Sequence, residues 1–222
     1  MSVDLSKYDF RLLEVSGELY ALEEHLKLIE NQMKHIEKKE SLKLDSYIRS
    51  EGISPDTADW ALANDEFNYL IETLLPRFFR GSFLVAFYAV YESGVTEIAR
   101  LIQGKLSQSI SMDDLKGDFL NRAKKYFKHI LNFDLYVKDN EWEKVNMLSE
   151  LRNAFAHANG RIEMLKQKPR ENITNWERQK KGITTDSGFI VCDAKIVSDI
   201  YQVVGLSLED LVDRYKKWDD TN

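Results

Sequence analysis

Three side chains within a ten-residue run could together carry acid–base chemistry on a phosphate ester: Arg152, Asn153 and His157, in Leu151-Arg152-Asn153-Ala154-Phe155-Ala156-His157-Ala158-Asn159-Gly160. An imidazole titrates near neutral pH and can take or give a proton. A guanidinium offers two parallel donors to phosphate oxygens and stabilises the charge that grows in a pentacoordinate transition state. The Asn153 amide could hold the imidazole or bind a phosphate oxygen. Asn153 and His157 are four residues apart and so stack on one side of a helix, while Arg152 lies about 100° round from Asn153; all three reach one cleft if the last turn loosens. Spacing alone is weak support, because 11 Arg and 4 His in 222 residues give about 0.2 Arg-x4-His pairs by chance. A competing reading pairs Arg152 with Glu150 or Asp139 and leaves His157 as the cap of its own helix.

Other familiar chemistries find no footing. A di-iron bundle needs Glu three residues before His, and those positions before His25, His35, His129 and His157 hold Leu22, Gln32, Tyr126 and Ala154. Gly104-Lys105 is followed by Leu106 and lacks the earlier glycine of a phosphate-cradling loop; neither Gly-x-Ser-x-Gly nor His-Glu-x-x-His occurs. The single cysteine, Cys192, excludes an internal disulfide and a multi-cysteine zinc site. The expectation is therefore no metal and no cofactor.

The elements that must position the three residues are helices. The chain is 43% hydrophobic with only 3 Pro and 10 Gly, and its apolar residues recur at steps of three and four, which predicts an all-α fold in one domain spanning residues 1–222. Leu5, Tyr8, Leu12, Val15, Leu19, Leu22, Leu26, Ile29, Met33 and Ile36 form an unbroken seam, so a long N-terminal helix is expected over residues 1–40. It reads as a helix lying on its own bundle, with a coiled-coil arm pairing with a second chain as the alternative. Ser54-Pro55 reads as the start of a second helix running to about Leu75, which Pro76 ends or kinks. A third follows over residues 77–103. Ser111 with Asp114 resembles a capping box that opens a helix to about Leu131. Residues 141–158 form the helix carrying the motif, with Asn159-Gly160 as its stop. Residues 183–185 and 189–191 predict a short β-hairpin, and residues 194–218 a last helix. No basic-then-apolar leader heads the sequence, and its most apolar stretch, residues 78–90, is about half the roughly 20 residues a membrane span needs. Cytoplasmic residence without membrane contact is the expectation.

The helix-end Arg-Asn-x3-His, with the helices before it and the one after, resembles the HEPN superfamily of all-α ribonucleases and their relatives. The likeness covers most of the chain in element order and about ten residues in motif. It implies a HEPN-like helical bundle in which two protomers bring their Arg-x4-6-His motifs to one cleft and cut RNA there without metal, His157 moving the proton of the 2′-OH and Arg152 neutralising the phosphate. Asn153 would be the polar residue that often follows the Arg, and Glu92 resembles the acidic residue that many members place near the motif. In one subgroup a Tyr two residues after the His is modified by a partner nucleotidyltransferase; Asn159 stands there in this chain. The setting implied is a toxin with its antitoxin, or an antiviral defence system.

Charge points the same way. The formal net charge is −6, so RNA must meet a local patch rather than a global field. Residues 161–182 carry Arg161, Lys166, Lys168, Arg170, Arg178, Lys180 and Lys181 against three Glu, +4, which leaves −10 on the other 200 residues. This segment adjoins the motif, and Trp176 within it could stack on an unpaired base; the competing reading is a solvated loop with one buried Trp. A metal-independent endoribonuclease, homodimeric, is thus the first expectation, and a catalytically silent HEPN-like dimer that binds a partner protein the second.

Overall fold

The computed structural model describes residues 10–55 and 57–221. Helices dominate them, with one two-stranded hairpin before the last helix, as the apolar spacing and the scarcity of turn residues require. The first helix, α1 (Phe10–Ser50), outruns its expected end by ten residues. Leu12, Val15, Leu19, Leu22, Leu26, Ile29 and Met33 are all buried on one stripe, whereas Leu5 and Tyr8 lie outside the described residues. The wet side carries exposed pairs such as Lys27–Glu23 at 2.8 Å. Beyond Met33 no α1 side chain is buried. Gly52 ends the helix at φ +64°, with its amide on the Arg49 carbonyl and the Ile53 amide on the Ile48 carbonyl, a pairing that only a residue without Cβ enters at no cost.

The second helix corrects the sequence expectation. α2 (Ala58–Asn68) is capped by Thr57, whose hydroxyl accepts the Trp60 amide at 3.2 Å, and not by Ser54-Pro55. Ser54 instead offers its carbonyl to the Thr57 hydroxyl at 2.8 Å. A π-helical turn, Tyr69–Leu74, then leads directly into α3 (Leu75–Lys105), so Pro76 neither stops nor starts a separate segment. It falls in the first turn after the ladder has shifted register, where its missing N–H costs least. The capping box at Ser111 forms, but around a single 3-10 turn, Met112–Asp114. Gly117 at φ +124° breaks the chain there, and Asp118 caps α4 (Phe119–Tyr126) by accepting the Asn121 amide at 3.0 Å. A second π-helical turn, Phe127–Leu131, closes at the expected residue with Asn132 left-handed at φ +49°.

The motif helix is α5 (Asp139–Ala158). After a 3-10 turn, Ile162–Met164, comes α6 (Gln167–Arg178), in a stretch where no helix was expected. The strands β1 (Ile183–Asp186) and β2 (Phe189–Cys192) pair antiparallel, Ile183 opposite Cys192 and Asp186 opposite Phe189, across Ser187 and Gly188, both at positive φ. That is the two-residue turn whose twist matches the strands. The last helix is α7 (Ala194–Asp219), capped by Asp193, which accepts the Ile196 amide at 2.7 Å.

The chain folds as two compact units. One comprises the chain up to Leu22, Ala86–Glu150 and the chain from Asp199. Its core rests on Phe87, Tyr91, Ile98, Ile102, Phe127, Leu148, Val204 and Leu211, all nearly fully buried. Buried hydroxyls are matched: Tyr91 and Tyr136 share a hydrogen bond of 2.6 Å, and Tyr126 donates to the Ile110 carbonyl at 2.8 Å. Glu141, also buried, accepts the amides of Val137 and Lys138 at 2.9 and 3.1 Å and so opens α5. The other unit comprises Glu23–Val85 and Leu151–Ser198. In it Arg80 reaches both Glu30 oxygens, at 2.7 and 2.8 Å, and the Cys192 carbonyl at 2.9 Å. Thr73 bonds Asp186 of the hairpin. This second unit holds the motif.

Candidate functional site

Along the last turns of α5 the apolar side chains point one way and the polar ones the other. Leu151, Ala154 and Ala158 are buried, Arg152 is half-buried, and Asn153, Ala156 and His157 are exposed. The exposed three follow the i, i+3, i+4 rule, so the small Ala156 leaves open surface between Asn153 and the imidazole. Arg152 donates from Nη1 to the Asn153 Oδ1 at 2.8 Å, so Asn153 orients the guanidinium.

Phe155 fixes where this turn sits. A Cβ on Gly81 of α3 would lie 2.7 Å from the Phe155 ring, and one on Gly160 would lie 3.2 Å from it, so the ring is clasped between two glycines. The helix stops as Asn159-Gly160 requires, with φ of +49° and +74°. The Gly160 amide bonds the Ala154 carbonyl at 3.0 Å. Gly160 then accepts the Ile190 amide at 2.8 Å, and Ile162 donates to the Gly188 carbonyl at 3.1 Å, so the segment after His157 is laced to the hairpin. Phe189 of that hairpin receives two guanidinium groups, Arg77 at 4.0 Å and Arg161 at 5.2 Å from its ring centre. Arg77 is buried, and among the described residues its Nε and Nη1 have no hydrogen-bond partner. The motif reading missed it; an Arg directly after Pro76 in an otherwise apolar stretch was the available signal.

The basic segment is more ordered than a loop. Lys166, Lys168, Arg178 and Lys180 are exposed, Lys181 is half-buried, and Arg161 is exposed with Glu163 at 3.8 Å. Arg170 is tied to the backbone: its guanidinium donates to the carbonyls of Ile162, Glu163 and Leu165, which holds the 3-10 turn to α6. Trp176 is buried at 9% exposure beside Ile173, on the inner face of α6, so its ring is packed inside and not offered to a base. Glu92, half-buried on α3, belongs to the other unit, where its carbonyl accepts the Thr96 hydroxyl at 2.7 Å. The structure thus brings Arg152, Asn153, His157 and Arg161 onto one helix end and its continuation, and the bases of α6 follow directly.

A cavity of about 440 Å³ opens elsewhere in the motif's unit, between α1, the π-helical turn, the start of α3 and the hairpin, and none of the motif residues lines it. Cys192 does, and burial pushes its thiol up to about 12. Among the described residues no three His, Cys, Asp or Glu side chains converge as metal ligands would. No described helix is long and apolar enough to cross a membrane. Compared with family models, curated proteins and solved structures, the chain finds no match.

Proposed function

We propose that the chain is a metal-independent endoribonuclease of HEPN type, working as a homodimer in a toxin or antiviral defence setting. The observation that carries the reading is the end of α5: an exposed imidazole four residues beyond an exposed amide that holds a guanidinium by a 2.8 Å bond. A proton carrier and an oriented phosphate fork stand on one solvent-facing turn, and the exposed bases of α6 supply the field that draws a polyanion to it. His157 takes the proton from a ribose 2′-OH, the freed oxygen attacks the adjacent phosphorus, and Arg152 binds the non-bridging oxygens as their charge grows. The 5′-oxygen leaves with a proton, and one protomer offers one imidazole for these two transfers; a second copy supplies the other.

The test is cleavage of labelled single-stranded RNA in EDTA by wild type, His157→Ala and Arg152→Lys. Wild type should cut and both variants should lose activity while keeping their helical spectrum; equal cutting by all three would end the assignment. The Arg152–Asn153 bond also favours a second reading, a catalytically silent helical module whose motif is tied up locally. Failure of wild type to cut any RNA, with the chain holding a partner protein such as an antitoxin, would select it.

A further inference from the structure

α2 is a helix of 11 residues without one buried side chain, although Trp60, Leu62 and Phe67 lie in it. A helix that short is marginal in water without packing. Trp60, Ala63 and Phe67 are half-buried on one stripe, and the opposite stripe is open. It reads Leu62, Asp65, Glu66, Tyr69, at i, i+3, i+4 and i+7: two acids between two exposed apolar side chains, Leu62 at 61% and Tyr69 at 37% exposure. No Lys or Arg occurs between Arg49 and Arg77, so nothing on this segment offsets the acids. A surface complementary to the stripe is basic and apolar.

The same chain carries that surface. The end of α1, connected to α2 by residues 51–57, exposes Lys39, Leu42, Lys43 and Tyr47, with Leu42 at 61% and Tyr47 at 52% exposure. Lys39, Lys43 and Tyr47 form one row four residues apart, with Leu42 beside it. Two bases and two apolar side chains on α1, of which Lys43 also holds Glu40 at 2.7 Å, thus answer two acids and two apolar side chains on α2 and the first residue of the π-helical turn. A chain that carries both halves of a complementary pair is suited to a twofold axis, which applies the contact twice.

We infer that the distal part of α1 and the outer stripe of α2 are where a second copy of this chain docks, α1 of one protomer on α2 of its partner and the reverse. This rests on the homodimer of the proposed function and names its surface; the ribonuclease chemistry can stand or fall without it.

The experiment uses charge reversal on the full chain. One variant carries Lys39→Glu and Lys43→Glu, the other Asp65→Lys and Glu66→Lys, and mass is read by light scattering and native mass spectrometry. Wild type should be a dimer. Each variant alone sets like charge against like in both contacts and should be monomeric, while their equimolar mixture restores both attractions and should give the mixed dimer. A monomeric wild type, dimers that survive either reversal, or a mixture that stays monomeric despite two folded variants would overturn the inference. Should a reversed variant unfold, the milder Leu62→Ser with Tyr47→Ser decides: at least a tenfold weaker dimer is expected, and an unchanged one counts against the surface. RNA cutting is read separately, so a dimer lost on reversal beside undiminished cutting removes the composite site and keeps the surface. A cutting dimer indifferent to reversal removes the surface and keeps the ribonuclease.

Discussion

His157 has solvent on its side of α5, whereas Arg152 is half-buried and leans on Asn153, so the two are restrained differently and should respond differently to substitution. His157→Ala deletes the proton carrier and should cost about 10²–10⁴-fold in kcat, with little change in melting temperature because an exposed side chain packs on nothing. Arg152→Lys keeps the charge but loses the planar fork, and should come within about tenfold of Arg152→Ala in cleavage rate. Asn153→Asp is the more discriminating change. It turns the neutral acceptor of the guanidinium into an anion, which holds Arg152 more tightly and competes with phosphate, so KM for RNA should rise more than kcat falls. A drop in kcat alone would mean that Asn153 works on the imidazole instead.

At the scale of elements, the turn that carries the motif depends on close approach. Gly81→Ala would put a methyl 2.7 Å from a Phe155 ring that Gly160 prevents from retreating, and overpacking of this kind costs about 1–3 kcal/mol. The melting temperature should fall, and Phe155→Leu in the same chain should recover part of it; independent, additive losses would show that the two residues do not meet. Much of this architecture was legible beforehand. The three-and-four seam of α1, the Asn159-Gly160 stop and the short hairpin within residues 183–191 are local signals that tertiary contacts did not override. α6 was not, because half of its positions are exposed and only Ile173 and Trp176, three apart, are buried; Pro169 in its first turn was the one local hint. Ser54-Pro55 failed as a cap because Thr57, three residues on, had the helix amides within reach. Both π-helical turns escaped notice, since no residue type marks a one-residue shift of the ladder. The motif was legible as residue types at a spacing, but the bond that ties Arg152 to Asn153, and the stack of Arg77 on Phe189, belong to side-chain packing and left no periodic trace.

For the whole molecule, burial makes a statement about pH. The Cys192 thiol is pushed up to about 12 from an ordinary 9.0, and the Tyr91 and Tyr136 hydroxyls are raised as well, each chiefly by removal from water. All three are neutral when protonated, so the folded chain holds protons that the unfolded chain releases. Their contribution is fully present below about pH 9, the unfolded thiol's value, and is lost as pH rises toward the folded values. The melting temperature should therefore decline above pH 9, and Cys192→Ala should flatten the first part of that decline; a stability that rises with pH there would contradict the sign. Cleavage itself, if His157 moves the proton of a 2′-hydroxyl, must leave a particular chemical trace. The most direct measurement is mass spectrometry of the products from one RNA of defined sequence, cut in EDTA beside its all-deoxy counterpart. The ends should be 2′,3′-cyclic phosphate and 5′-hydroxyl, and the DNA should stay whole; 3′-hydroxyl ends, or cutting of the DNA, would contradict the account.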